Sequence, residues 1–170
     1  MNIIKYFISQ YRLLIYASLA AIVSLLIANL TQDIEIFNIL RLFSLFILLA
    51  YIMRVVDDIH DYQKDRRQHK KHYLSKNELI LLSMLLVLAF VVLNFVYYNL
   101  SGAFSILLVA IIYIWELFPL CKVIFLPLVS AIYIYFSGGQ DAFNQYDIWI
   151  VLVVLLFVSC AFYAYKRGGK

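Results

Sequence analysis

Apolar runs of about 15–21 residues recur along this chain, at 13–30, 36–56, 79–97, 100–120, 123–137 and 148–165. A helix that crosses a bilayer needs about 20 such residues, and in hydrocarbon each backbone N–H and C=O must be satisfied within its own segment. The pattern predicts an all-α, polytopic membrane helix bundle of six transmembrane helices, with residues 1–170 forming one transmembrane domain. Composition points the same way. Of the 170 residues, 65% are hydrophobic and 14% charged, against roughly 45–50% and 25% in soluble domains. With 2 prolines and 5 glycines, disordered and collagen-like classes are excluded. The fifth run is short and contains Pro127, so it is expected to kink, to tilt, or to join the fourth as a tight hairpin across 119–122. Lys5 and Arg12 before the first run resemble the start of a signal peptide. No small-residue cleavage site leading into a soluble domain follows, so the first span is expected to be retained.

The surplus of 14 Lys+Arg over 10 Asp+Glu falls on alternate connections. Lys5 and Arg12 precede the first run, and Lys64, Arg66, Arg67, Lys70, Lys71 and Lys76 separate the second from the third. Lys122 follows the fourth run; Lys166, Arg167 and Lys170 follow the sixth. The connections at 31–35, 98–99 and 138–147 contain no Lys or Arg. The positive-inside rule then predicts cytoplasmic N and C termini, and an even number of spans agrees. The basic residues are an orientation signal, and no nucleic-acid partner is expected. Cys121 and Cys160 lack CxxC spacing and a nearby His, so they are expected to be buried apolar thiols rather than zinc ligands or a disulfide.

The second run leads into Arg54-Val-Val-Asp57-Asp58-Ile-His60-Asp61-Tyr-Gln-Lys64-Asp65-Arg66-Arg67. At about 100° per residue, a continuing helix gathers Arg54, Asp57, Asp58, Asp61 and Asp65 within roughly 100° of arc. Carboxylates three and four residues apart repel by about 0.2–0.5 kcal/mol per pair. A divalent cation relieves this, and oxygen-only ligands suit Mg²⁺, which takes one or two carboxylates and fills its shell with water and phosphate oxygens. Arg54, Arg66, Arg67, Lys70 and Lys71, with Lys122, supply positive charge for the remaining phosphate oxygens. The bland alternative is a solvated segment whose acids pair with the basic residues beyond it. For the basic cluster taken alone, anionic-lipid contact is an equal expectation.

Asp57-Asp58-x-x-Asp61-x-x-x-Asp65 resembles the first aspartate-rich motif of the UbiA superfamily of membrane prenyltransferases, NDxxDxxxD, with Asp57 in the asparagine position. With Arg54 included, it is similar to a branch reading R-x-x-D-[DE]-x-x-D-x-x-x-D. Leu74-Ser75-Lys76-Asn77-Glu78-Leu79 resembles the family's lead-in to the third span, and Tyr113–Lys122, with Glu116, matches a further polar stretch loosely. The resemblance implies an all-helical enzyme that binds an isoprenyl diphosphate through Mg²⁺ and transfers the prenyl group to an aromatic or related acceptor. Asp57, Asp58, Asp61 and Asp65 would be metal ligands, Asp58 and Asp61 the catalytic pair, and Arg54, Arg66, Arg67, Lys70 and Lys122 the diphosphate contacts.

The family has about nine spans and a second aspartate-rich motif after the sixth; these 170 residues resemble its first two-thirds. The other half of the site is therefore expected from further sequence or a second chain, unless the protein is a non-catalytic relative. Rival readings carry less. CDP-alcohol phosphotransferases need glycines that 57–76 lacks, and soluble prenyl diphosphate synthases share DDxxD but not the spans. A scaffold, transporter-like protein or partner subunit is the main alternative, with Arg41 in the second run its candidate residue. Arg41 lies about 140° around the helix from Arg54, and snorkelling or pairing with Asp33 or Glu35 accounts for it more simply.

Overall fold

A computed structural model describes residues 2–9, 13–32, 34–67, 73–99, 102–114, 119–138 and 146–168. Among these the chain is all-α, in seven helices without a strand. They are α1 (Asn2–Ser9), α2 (Leu13–Leu30), α3 (Ile36–Arg67), α4 (Lys76–Tyr98), α5 (Gly102–Ile114), α6 (Pro119–Gly138) and α7 (Tyr146–Gly168). The first is additional to the six expected from apolar runs. Eight residues are too few to register as a span.

Helix α3 organises the bundle, packing against α2, α4 and α5, while α6 packs against α7, α2 and α5. Leu42, Leu45, Phe46, Leu49, Ile52 and Val56 recur at spacings of three and four and are fully or nearly fully buried, forming one stripe. Opposite them in the core lie Phe90 of α4, Ile112 of α5 and Tyr133 and Ile134 of α6. The outer faces are also apolar. On α4, Leu81, Met84, Leu85, Leu88, Val92, Phe95 and Val96 are exposed, and on α7 Trp149, Val153 and Phe157 are. Such contiguous apolar exposure is foreign to soluble monomers. Two helices, Ile36–Asp65 within α3 and Lys76–Tyr98, are long and apolar enough to cross a membrane.

Polar groups inside the bundle are mostly paired. Tyr133 donates its hydroxyl to Asn94 Oδ1 at 2.7 Å, Asn94 Nδ2 donates to the Phe90 carbonyl at 2.9 Å, and Tyr98 donates to Asn38 Oδ1 at 3.3 Å. The Tyr98 and Tyr133 rings stand 5.4 Å apart, joining these pairs into one layer. Among the described residues the buried Ser105 and Ser130 hydroxyls find no hydrogen-bond partner.

Residues 119–122, where a tight hairpin between the fourth and fifth runs was one of three alternatives, form the first turn of α6, and Pro119 is tolerated there because its missing N–H has no intrahelical partner. One expectation is corrected. Cys160, expected to be buried, is an exposed thiol; it continues the outward stripe of Trp149, Val153 and Phe157. Arg41 is exposed and set over the Tyr97 ring at 5.7 Å; Asp33, one of the two acids expected to pair with it, lies outside the described residues. The side chain of Cys121 also lies outside them.

Candidate functional site

A helix of 32 residues such as α3 is about 48 Å long at 1.5 Å per residue. The hydrocarbon core of a bilayer is about 30 Å thick, and the apolar part, 36–56, already matches it. Residues 57–67 are therefore a rigid extension of the same helix beyond its apolar part, not a loop. Every acid expected in the site rides on that extension.

Asp58 is its focus. Arg54, one turn back, places Nη2 2.7 Å from Asp58 Oδ1, with side-chain exposures of 26% and 14%. The Tyr6 hydroxyl of α1 donates to Asp58 Oδ2 at 2.6 Å. Both carboxylate oxygens are thus engaged, one by a cation and one by a neutral donor. Tyr6 itself is 5% exposed, packed with Val55, Leu74, Leu79 and Leu82. Burial first, and then the hydrogen bond to Asp58, push its phenol well above the usual tyrosine range, so it remains a donor at any physiological pH. Next to it, Phe7 meets Tyr51 edge-on at 5.0 Å. The fold thus ties the N-terminus to the acidic end of α3.

The other acids are more open. Asp61 is exposed, while Asp57 and Asp65 are partly buried; His60 and Lys64 are exposed as well. Among the described residues no three His, Cys, Asp or Glu side chains converge on a point where they could share a metal ion. The four aspartates form an open row, not a closed cage. One or two carboxylates with water and phosphate oxygens is nonetheless the coordination Mg²⁺ prefers, so the donor set fits that ion when the rest of its shell comes from a ligand.

Of the expected diphosphate contacts, Arg54 is spent on Asp58 in this conformation and Arg67 is exposed at the end of α3. Lys70, with Lys71, lies outside the described residues, as do the side chains of Arg66 and Lys122 and the whole of Glu116. Helix α4 begins with a reciprocal cap. Ser75 N–H donates to Glu78 Oε2 at 2.7 Å and Glu78 N–H donates to Ser75 Oγ at 3.3 Å. This cap fixes where the chain re-enters the bundle. An open cavity of about 340 Å³ lies between it and α3, lined by Tyr62, Gln63, Ser75, Lys76 and Asn77.

Tyr6 was not among the residues singled out from sequence. Its partner is 52 positions away, and no local periodicity links them. Comparison of the chain with protein-family models, with curated proteins and with solved structures found no match.

Proposed function

We propose that the chain is a multi-pass membrane protein of six spans, with both termini and the acidic end of α3 on the cytoplasmic side, that binds an isoprenyl diphosphate through Mg²⁺. In this reading it acts as a UbiA-like prenyltransferase toward an aromatic or related acceptor, with remaining ligands drawn from further sequence or a second chain. The observation that carries the reading is the row Arg54, Asp57, Asp58, Asp61 and Asp65 on one unbroken helix, beginning where its apolar stretch ends. A helix holds such ligands more rigidly than a loop. In this reading it would also hold them beside hydrocarbon, where a prenyl tail belongs.

Asp61, the most open acid, with Asp57 or Asp65 one turn away on either side, would hold the cation. When bound, Mg²⁺ would neutralise charge on the diphosphate as it leaves. Arg54 would turn guanidinium N–H groups not held by Asp58 toward phosphate oxygens, orienting the diphosphate. The aromatic residues near the site, Tyr51, Tyr62 and Phe7, would shield the prenyl end from water.

A second reading is favoured by one contact. Because Asp58 is already satisfied by Arg54 and Tyr6, the cluster also works as a structural clamp in a non-catalytic multi-pass protein. Binding separates the two. Nanodisc-embedded protein should bind labelled farnesyl diphosphate in Mg²⁺ and release it in EDTA; equal binding in both removes the metal from the proposal, and none in either favours the clamp.

A further inference from the structure

We propose that Arg41, set on the Tyr97 ring, is the headgroup anchor of a binding site for an anionic phospholipid, on the surface where α3 meets α4 at the end away from the acidic row. The inference rests on the six-span membrane reading above and is independent of the diphosphate one. Arg41 is an exposed charge in an apolar setting. Phe37, one turn earlier on the same face of α3, is exposed, and so is Leu40. The contact with Tyr97 brings the end of α4 alongside, where Phe95 and Val96 are exposed as well. In the six-span reading these residues face lipid, while the Lys and Arg of the connections gather at the opposite face of the membrane. A cation beside lipid tails is costly unless it reaches a polar partner. Arg41 follows the start of α3 at Ile36 by five residues, about 7.5 Å along the axis, so its long side chain reaches headgroup level.

Tyr97 steadies that charge without consuming it. The guanidinium carbon stands 5.7 Å from the ring centroid, a contact that attracts the cation through the ring's π face. Among the described residues no acid pairs with Arg41, and the Ser44 hydroxyl donates to its backbone carbonyl, not to its side chain. The fork of N–H donors is therefore available to a phosphate, whose oxygens it can take two at a time. A free phosphate would use the guanidinium alone. A phospholipid would also lay its acyl chains along Phe37, Leu40, Phe95 and Val96, so the apolar flanks favour the lipid. A zwitterionic headgroup brings its own cation beside Arg41, whereas a net-anionic one does not, and the site accordingly prefers the anionic lipid.

The test uses the whole chain in nanodiscs, with a fluorophore on Val96→Cys in a Cys121→Ser/Cys160→Ser background and nitroxide-labelled phosphatidylglycerol or phosphatidylcholine as the quencher. At equal mole fraction, phosphatidylglycerol should be enriched about fivefold over phosphatidylcholine at the label, the scale of one Arg meeting an anionic lipid. Arg41→Gln should bring the two lipids to parity, and Tyr97→Leu should reduce the preference. Because quenching is short-ranged and read beside Tyr97, the basic residues at the other end of the bundle do not contribute to it. Parity without either substitution, a preference undiminished by Arg41→Gln or Tyr97→Leu, or its loss when millimolar inorganic phosphate is added overturns the lipid site while the six-span reading stands. A label that neither lipid quenches shows that Val96 does not face a bilayer and overturns both.

Discussion

Asn94 and Tyr133 show what a polar group needs in order to sit in this interior. Both are fully buried, and the tyrosine donates to the amide oxygen at 2.7 Å. Tyr133→Phe removes the donor and leaves that oxygen desolvated, so the variant should lose about 1 kcal/mol of stability, within the range measured for hydrogen bonds between membrane helices. Ser130→Ala is the contrasting case. Its hydroxyl has no partner among the described residues, so the substitution should leave unfolding in detergent unchanged or shift it upward. At this scale the sequence was legible only locally. The i,i+4 placement of Arg54 and Asp58 follows from helix geometry, and their ion pair forms. Tyr6 escaped because only the tertiary fold brings residue 6 to residue 58.

Among the elements, α3 followed the sequence most closely, since its acidic arc requires the helix to continue past the apolar run and it does so to Arg67. The connection between the fourth and fifth runs was harder to read. Apolar residues continue through it, so hydropathy shows no boundary, and α5 ends at Ile114 while α6 starts at Pro119. The start of α4 is set by the reciprocal Ser75–Glu78 cap, a local feature that reading 74–79 as a lead-in to the third span did not include. Ser75→Ala should cost about 1 kcal/mol. Hydrogen exchange should report it as faster exchange confined to the first turn of α4; unchanged exchange there contradicts the cap.

At the scale of the whole molecule, the exposed leucines, valines and phenylalanines of α4 and α7 and the one-sided placement of Lys and Arg belong together. In the proposed reading the first would face lipid and the second would give the bundle a direction. Single cysteines placed at Lys64 and at Gln32, with Cys121 and Cys160 replaced, should react with a membrane-impermeant maleimide from opposite faces, Lys64 from the cytoplasmic one. Labelling of both from the same face contradicts the six-span topology. In that reading the direction would bring the acidic row to the side where a soluble cation and a membrane-borne diphosphate meet. The most direct measurement of that claim is farnesyl diphosphate affinity in Mg²⁺ for wild type, for Asp58→Asn/Asp61→Asn, and for Asp147→Asn, an acid in the first turn of α7. The account predicts that Asp147→Asn binds like wild type while the double variant loses at least tenfold; a double variant that binds as tightly as wild type contradicts it.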